Sequence, residues 1–150
     1  MFSNNYNNIM EKIKISWEPT EIWNHEDFRQ LIKAIHENTY STFEFELWII
    51  TTNSSLNYIK AIADQFDIPQ ERTLMALNDS TKVGLITLNT DIHFDEDYTI
   101  IKALEVTKTK GILVDRKIAY GEMGLKYIKD LDTWTSIIIR ERNGEKTKPC

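Results

Sequence analysis

Apolar residues along the chain recur with two alternating periods. Residues 13–17 read as the first strand, and residues 26–38 then carry Phe28, Leu31, Ile32 and Ile35 on one helical face. The unbroken run Leu47-Trp48-Ile49-Ile50, within a strand over 45–51, fits a strand covered on both faces. Ser54 or Ser55 can cap a following helix, with Leu56, Ile59, Ala63 and Phe66 as its buried stripe and Pro69 forbidding its continuation. The spacing next predicts a strand over 73–77 ending in an Asn78-Asp79-Ser80 turn, a short helix over 82–88 and a strand over 92–94. Asp97 can then cap a helix whose apolar face is Ile100, Ile101 and Leu104, and a core strand follows over 111–114. Asp132 can cap a last helix to Arg142 with Gly144 ending it, although the β-branched run Ile137-Ile138-Ile139 also suits a strand. Strands alternating with helices predict a three-layer α/β domain over residues 11–143, its mostly parallel sheet flanked by helices. Residues 1–10 and 144–150 read as flexible tails.

Composition narrows the function classes. A length of 150 residues suits one domain with a sizeable core. A net charge of -5 argues against nucleic-acid binding through bulk charge, which needs clustered Lys and Arg to displace counterions. The basic residues Lys102, Lys108, Lys110, Arg116 and Lys117 read as a solvated face. Cys150 is the only cysteine, so neither an internal disulfide nor a thiolate metal cluster can form, and no oxidising compartment is implied. No apolar run reaches membrane-spanning length and the N-terminus lacks a signal pattern, so the expectation is a soluble cytoplasmic protein with no membrane partner.

In an open parallel sheet, ligands bind beyond the carboxyl ends of the strands. The residues expected there are Ser16-Trp17-Glu18-Pro19-Thr20, then Thr52-Asn53, then Lys82, then Asp95-Glu96-Asp97. A lysine and a hydroxyl can hold a phosphate, and paired carboxylates can hold Mg²⁺. Each piece also has a plain structural meaning. SWEPT can be a strand end and a proline turn with Trp17 in the core, Thr52-Asn53-Ser54 a helix cap, Lys82 a surface lysine, and the acidic triplet the start of a helix. His93 reads as a packed or solvated histidine, and His25 and His36 have no ligand spacing. The aromatic residues Trp23, Trp48, Trp134, Phe43 and Phe45 suit core or sheet-edge packing, and a cluster of Tyr40, Phe43 and Phe45 could instead serve a partner surface.

Order and spacing give the set more meaning than any piece has alone. LWIITTN, with its hydroxyl at Thr52 (Thr51 as second choice), NDSTKVGLI with Lys82, and DIHFDED with Asp95 and Glu96 follow one another as the later motifs of the haloacid dehalogenase-like superfamily do. The chain resembles small members of that superfamily carried by bacteriophages and bacteria, over residues 13–114. The resemblance implies a Rossmann-like sheet without a large cap domain, a phosphate-neutralising role for Lys82, and a Mg²⁺ site at Asp95 and Glu96. The superfamily's first motif is Asp-x-Asp-x-Thr. Ser16 here replaces the nucleophilic aspartate, Glu18 is a longer substitute for the acid/base, and Thr20 matches.

A neutral serine with no evident base is a poor substitute for an attacking, metal-ligating carboxylate. The resemblance therefore implies a degenerate site and no cofactor. A non-catalytic domain is expected, with a protein partner or self-association, as a virion or assembly component in the host cytoplasm or the phage particle. The alternative is a Mg²⁺-dependent phosphohydrolase with an altered nucleophile, using Glu18, Thr20, Thr52, Lys82, Asp95 and Glu96.

Overall fold

A computed structural model describes residues 11–19, 43–114 and 120–147 of the chain. The expected helix over 26–38, Thr20, the aromatic residues Trp23 and Tyr40, and the residues 1–10 and 148–150 of the expected tails lie outside them. The described elements run β1 (Glu11–Trp17), β2 (Phe43–Thr51), α1 (Leu56–Gln65), β3 (Thr73–Met75), α2 (Asp79–Asn89), β4 (Ile92–Asp95), α3 (Tyr98–Leu104), β5 (Lys110–Leu113) and α4 (Tyr120–Thr147), with one 3₁₀ turn at Gln70–Arg72.

All five strands are parallel, in the order β3-β2-β1-β4-β5. The chain builds outward from β1 to β3, then returns past β1 to build β4 and β5. Right-handed crossovers therefore put α1 on one face of the sheet and α2 and α3 on the other. The packing agrees. Ile59, Ile62 and Ala63 of α1 and Tyr127, Leu131 and Ile138 of α4 pack with Ile13, Ile15, Trp17, Leu47, Ile49, Ile92, Phe94 and Ile112. On the opposite face Ile50 packs with Ile86 of α2 and Ile100 and Leu104 of α3. The result is a three-layer, Rossmann-like α/β fold, as the alternation of elements predicts. Among the described residues, no helix is long and apolar enough to cross a membrane.

Several boundaries differ from expectation for identifiable reasons. Asn78 is not in a turn ending β3 but caps α2: its side chain accepts the Thr81 amide at 2.8 Å, so the helix starts at Asp79 and Lys82 is its fourth residue. The third strand stops at Met75, whose partner Thr51 is the last residue of β2, and Leu77 beyond it is 96% exposed. In α1 the buried positions are Ile59, Ile62 and Ala63. Leu56 is exposed at the first helical position, ahead of the stretch that meets the core. Ser55 precedes the helix without a side-chain capping bond.

Ile137-Ile138-Ile139 is helical. α4 runs through Gly144 to Thr147, so Gly144 does not end it. Its buried residues Tyr127, Leu131, Thr135 and Ile138 lie three or four apart, which is one helical face. Arg142 ties the helix to the sheet, donating to the Lys12 carbonyl and to Asp91 at 3.1 Å each, while Asp91 also accepts the Lys14 amide at 2.8 Å.

Candidate functional site

The strand order reverses between β1 and β4, the usual place for a ligand site in such a sheet. Strand alternation decides what gathers there. Trp17 points into the α1/α4 core and meets Phe66 edge-on, so Ser16 and Glu18 face the other way. In β4 Ile92 and Phe94 join the same core, so His93 and Asp95 turn to the side of Ser16. Parallel register sets Ser16 beside His93. Lys82 enters from the first turn of α2.

These side chains form one continuous buried network. Glu18 is its hub. One of its oxygens accepts from the Thr51 hydroxyl. The other accepts from the Thr52 backbone amide at 3.2 Å and from the Lys82 ammonium at 2.7 Å. Lys82 Nζ is also 2.7 Å from Asp95 Oδ2, and Lys82 is only 2% exposed. His93 Nε2 lies 2.9 Å from that same Asp95 oxygen, and the Asp97 amide donates to the other at 2.9 Å. On its far side His93 Nδ1 meets Ser16 Oγ at 2.8 Å, and Ser16 Oγ meets Thr90 Oγ1 at 3.1 Å. Thr90 in turn donates to the Ile86 carbonyl at 2.9 Å.

Electrostatics follow from burial. Burial disfavours the imidazolium of His93 and holds its pKa below the ordinary value, against the pull of Asp95. A neutral His93 places its proton on Nε2, toward the acceptor-only Asp95, and leaves Nδ1 to accept from the Ser16 hydroxyl. For Asp95, burial opposes ionisation, but the bonds from His93 and Lys82 outweigh it and its pKa is lowered. Burial likewise opposes the Lys82 charge, and the Asp95 and Glu18 carboxylates outweigh it, so that pKa is raised. The described charges are thus two carboxylates sharing one ammonium, with a neutral imidazole behind them.

The site joins most of the residues expected at the rim and reassigns two of them. Glu18, Lys82 and Asp95 come together. Ser16 is wholly buried beneath them, hydrogen-bonded to His93 with the Thr90 hydroxyl oxygen 3.1 Å away, and makes no direct bond to Lys82. Two residues of parallel strand span about 6.6 Å, which is why residue 18 reaches the rim and residue 16 does not. Thr51 supplies the hydroxyl, and Thr52 contributes its backbone amide. Glu96 is half-buried beside Asp95.

His93, expected as a packed or solvated histidine, is wholly buried; its bonds to Ser16 and Asp95, and the part of Thr90, were not expected. The signal was present for His93: alternation along Ile92-His93-Phe94-Asp95 already puts the histidine and the aspartate on one side.

Among the described residues, the carboxylate oxygens that could meet Mg²⁺ are already engaged. Both Asp95 oxygens and both Glu18 oxygens already accept hydrogen bonds, and the Lys82 ammonium fills the gap between the two carboxylates. Among the described residues, no group of three or more His, Cys, Asp or Glu side chains is arranged to hold a metal ion.

Fold and cluster together define a Rossmann-like α/β domain with a buried, hydrogen-bonded polar network at its switch point. Comparison of the chain with protein-family models, with curated proteins and with solved structures finds no match in any of the three.

Proposed function

We propose that this chain is a non-catalytic domain on a haloacid dehalogenase-like scaffold, with a structural or protein-interaction role such as a component of a bacteriophage particle or of its assembly. One observation carries the non-catalytic part. The groups that would handle a phosphate ester are engaged with one another. The Thr51 hydroxyl, the Thr52 amide and the Lys82 ammonium all donate to the carboxylate of Glu18, and Asp95 holds Lys82 from the other side. The serine at the superfamily's nucleophile position in the sequence is buried and hydrogen-bonded to His93. The scaffold and the phage setting rest on the sequence resemblance, and fold alone does not fix function.

The test is a panel of phosphate monoesters and nucleotides assayed with and without Mg²⁺. No turnover above the buffer rate is expected, and wild-type turnover that is lost in Lys82→Ala would overturn the proposal. Sedimentation of the purified chain, alone and with candidate assembly proteins, addresses the interaction role. A chain that stays monomeric and binds none of them would count against it.

A second reading, a phosphohydrolase with an altered nucleophile, has one observation in its favour. The group beside Thr51, Lys82 and Asp95 is a carboxylate, Glu18, rather than a serine. For that carboxylate to attack phosphorus, Glu18 must first leave the three donors that hold it, because a substrate phosphate needs those same donors.

A further inference from the structure

The three donors around Glu18 have a common property. A hydroxyl, a backbone amide and an ammonium converge from β2, from the residue after it and from α2, and all end on one carboxylate. Thr51 and Lys82 are also held by groups other than Glu18. The Thr51 oxygen is fixed by accepting the Asn53 amide at 2.9 Å. Lys82 is held by Asp95, which His93 and the Asp97 amide hold in turn. Thr51 and Lys82 are buried, so water cannot easily replace what they bind. Convergent, pre-positioned donors with one ammonium are the makings of an oxyanion site.

We propose that Thr51, Thr52 and Lys82 form an oxyanion cradle and that Glu18 is its built-in ligand, so the site is closed to external anions until that side chain is removed. The inference rests on the reading of a closed site given above. In the wild type an external anion must displace a tethered carboxylate, whose effective concentration is far higher than that of any free competitor. Glu18→Ala deletes two carbons and two oxygens, the heavy atoms of acetate. What remains is a neutral Lys82–Asp95 pair and a set of donors lacking an acceptor, and a small carboxylate or phosphate restores both the charge and the bonds.

The experiment is titration of sodium acetate and inorganic phosphate into the full-length chain at pH 7 and constant ionic strength, read by thermal midpoint and calorimetry. Glu18→Ala is expected to saturate with a dissociation constant of about 1 mM, the range open to so small a ligand. The wild type and Glu18→Gln, whose amide keeps the cradle filled, are expected to bind at least tenfold more weakly. Adding Lys82→Met to Glu18→Ala is expected to abolish the response. If Glu18→Ala alone does not fold, recovery of its circular dichroism by acetate but not by chloride reads the same site.

No saturation in Glu18→Ala, or no recovery of an unfolded variant, overturns the cradle, and so does equal binding by the wild type. Turnover in the wild type, by contrast, would strike the non-catalytic reading, and the acetate titration would still judge the cradle.

Discussion

Replacing Lys82 by methionine tests the buried cluster through stability. The ammonium sits 2.7 Å from both Glu18 and Asp95, with almost no exposure. Methionine keeps most of the stem volume and removes the charge, which leaves two buried carboxylates facing each other. Removing one partner of a buried ion pair costs about 3–5 kcal/mol. Here one substitution deprives two carboxylates. Asp95 keeps His93 and the Asp97 amide, and Glu18 keeps Thr51 and the Thr52 amide, which limits the loss. A deficit of about 4 kcal/mol at pH 7 is expected, within the usual range for a charge left unpaired. That is roughly 8–16 °C in thermal midpoint for a chain of this size.

The deficit should shrink on acidification. In the wild type Asp95 has a lowered pKa, so it contributes stability above its unfolded value that is lost as pH falls through the folded one. Without Lys82, burial is opposed by one partner fewer and that pKa moves up. If it passes the unfolded value, the sign reverses and proton uptake favours the folded variant. Urea unfolding of both proteins at pH 7 and pH 5 measures the difference directly. A deficit under about 1 kcal/mol at pH 7, the size of a surface pair, would refute a buried shared ammonium. A deficit that widens toward pH 5 would refute the sign.

Three further predictions follow from single residues. Buried His93 has a lowered pKa, so the unfolded chain takes up its proton near pH 6.5 while the folded chain does not. Wild-type stability should therefore fall from pH 7 to pH 5 by up to about 1.4 kcal/mol per pH unit, and His93→Gln should flatten that slope in urea unfolding. The Thr135 hydroxyl is buried in α4 with no hydrogen-bond partner among the described residues. Thr135→Val should raise stability by about 1 kcal/mol, since the lost hydroxyl was unsatisfied; a lower thermal midpoint would contradict this. Asp67, just past the end of α1, holds φ at 53°, a conformation that favours glycine. Asp67→Gly should stabilise the chain by roughly 0.5–1 kcal/mol in denaturant unfolding, and a loss would show that the aspartate side chain matters there.

Much of this fold is legible in the sequence because its strands are covered on both sides. Leu47-Trp48-Ile49-Ile50 and Ile92-His93-Phe94 announce a parallel sheet, and Asp97 caps α3 as its position predicts, accepting the Thr99 amide at 2.9 Å. Ends of elements are harder to read. Asn78 suits a turn and a helix cap equally, and only the Thr81 amide decides. Gly144 resembles a helix stop, but the helix passes through it without requiring a left-handed conformation.

In the site, the residue types were visible and the register was not. Ser16 and Glu18 lie on the same side of β1, so alternation cannot say which reaches the rim. That depends on where β1 ends relative to β4, fixed here by Glu18 donating its amide to the Phe94 carbonyl at 3.1 Å. Thr51 and Thr52 are adjacent at the end of β2, and it is the Thr51 hydroxyl and the Thr52 backbone amide that meet Glu18.

The carboxylate of Glu18 holds Thr51, the Thr52 amide and Lys82 together. A crystal structure grown in millimolar Mg²⁺ and phosphate addresses this most directly. Glu18 is expected to keep all three donors, with Lys82 between it and Asp95 and no ion among them. Phosphate or metal seated against Thr51 and Lys82, with Glu18 turned away, would contradict the account.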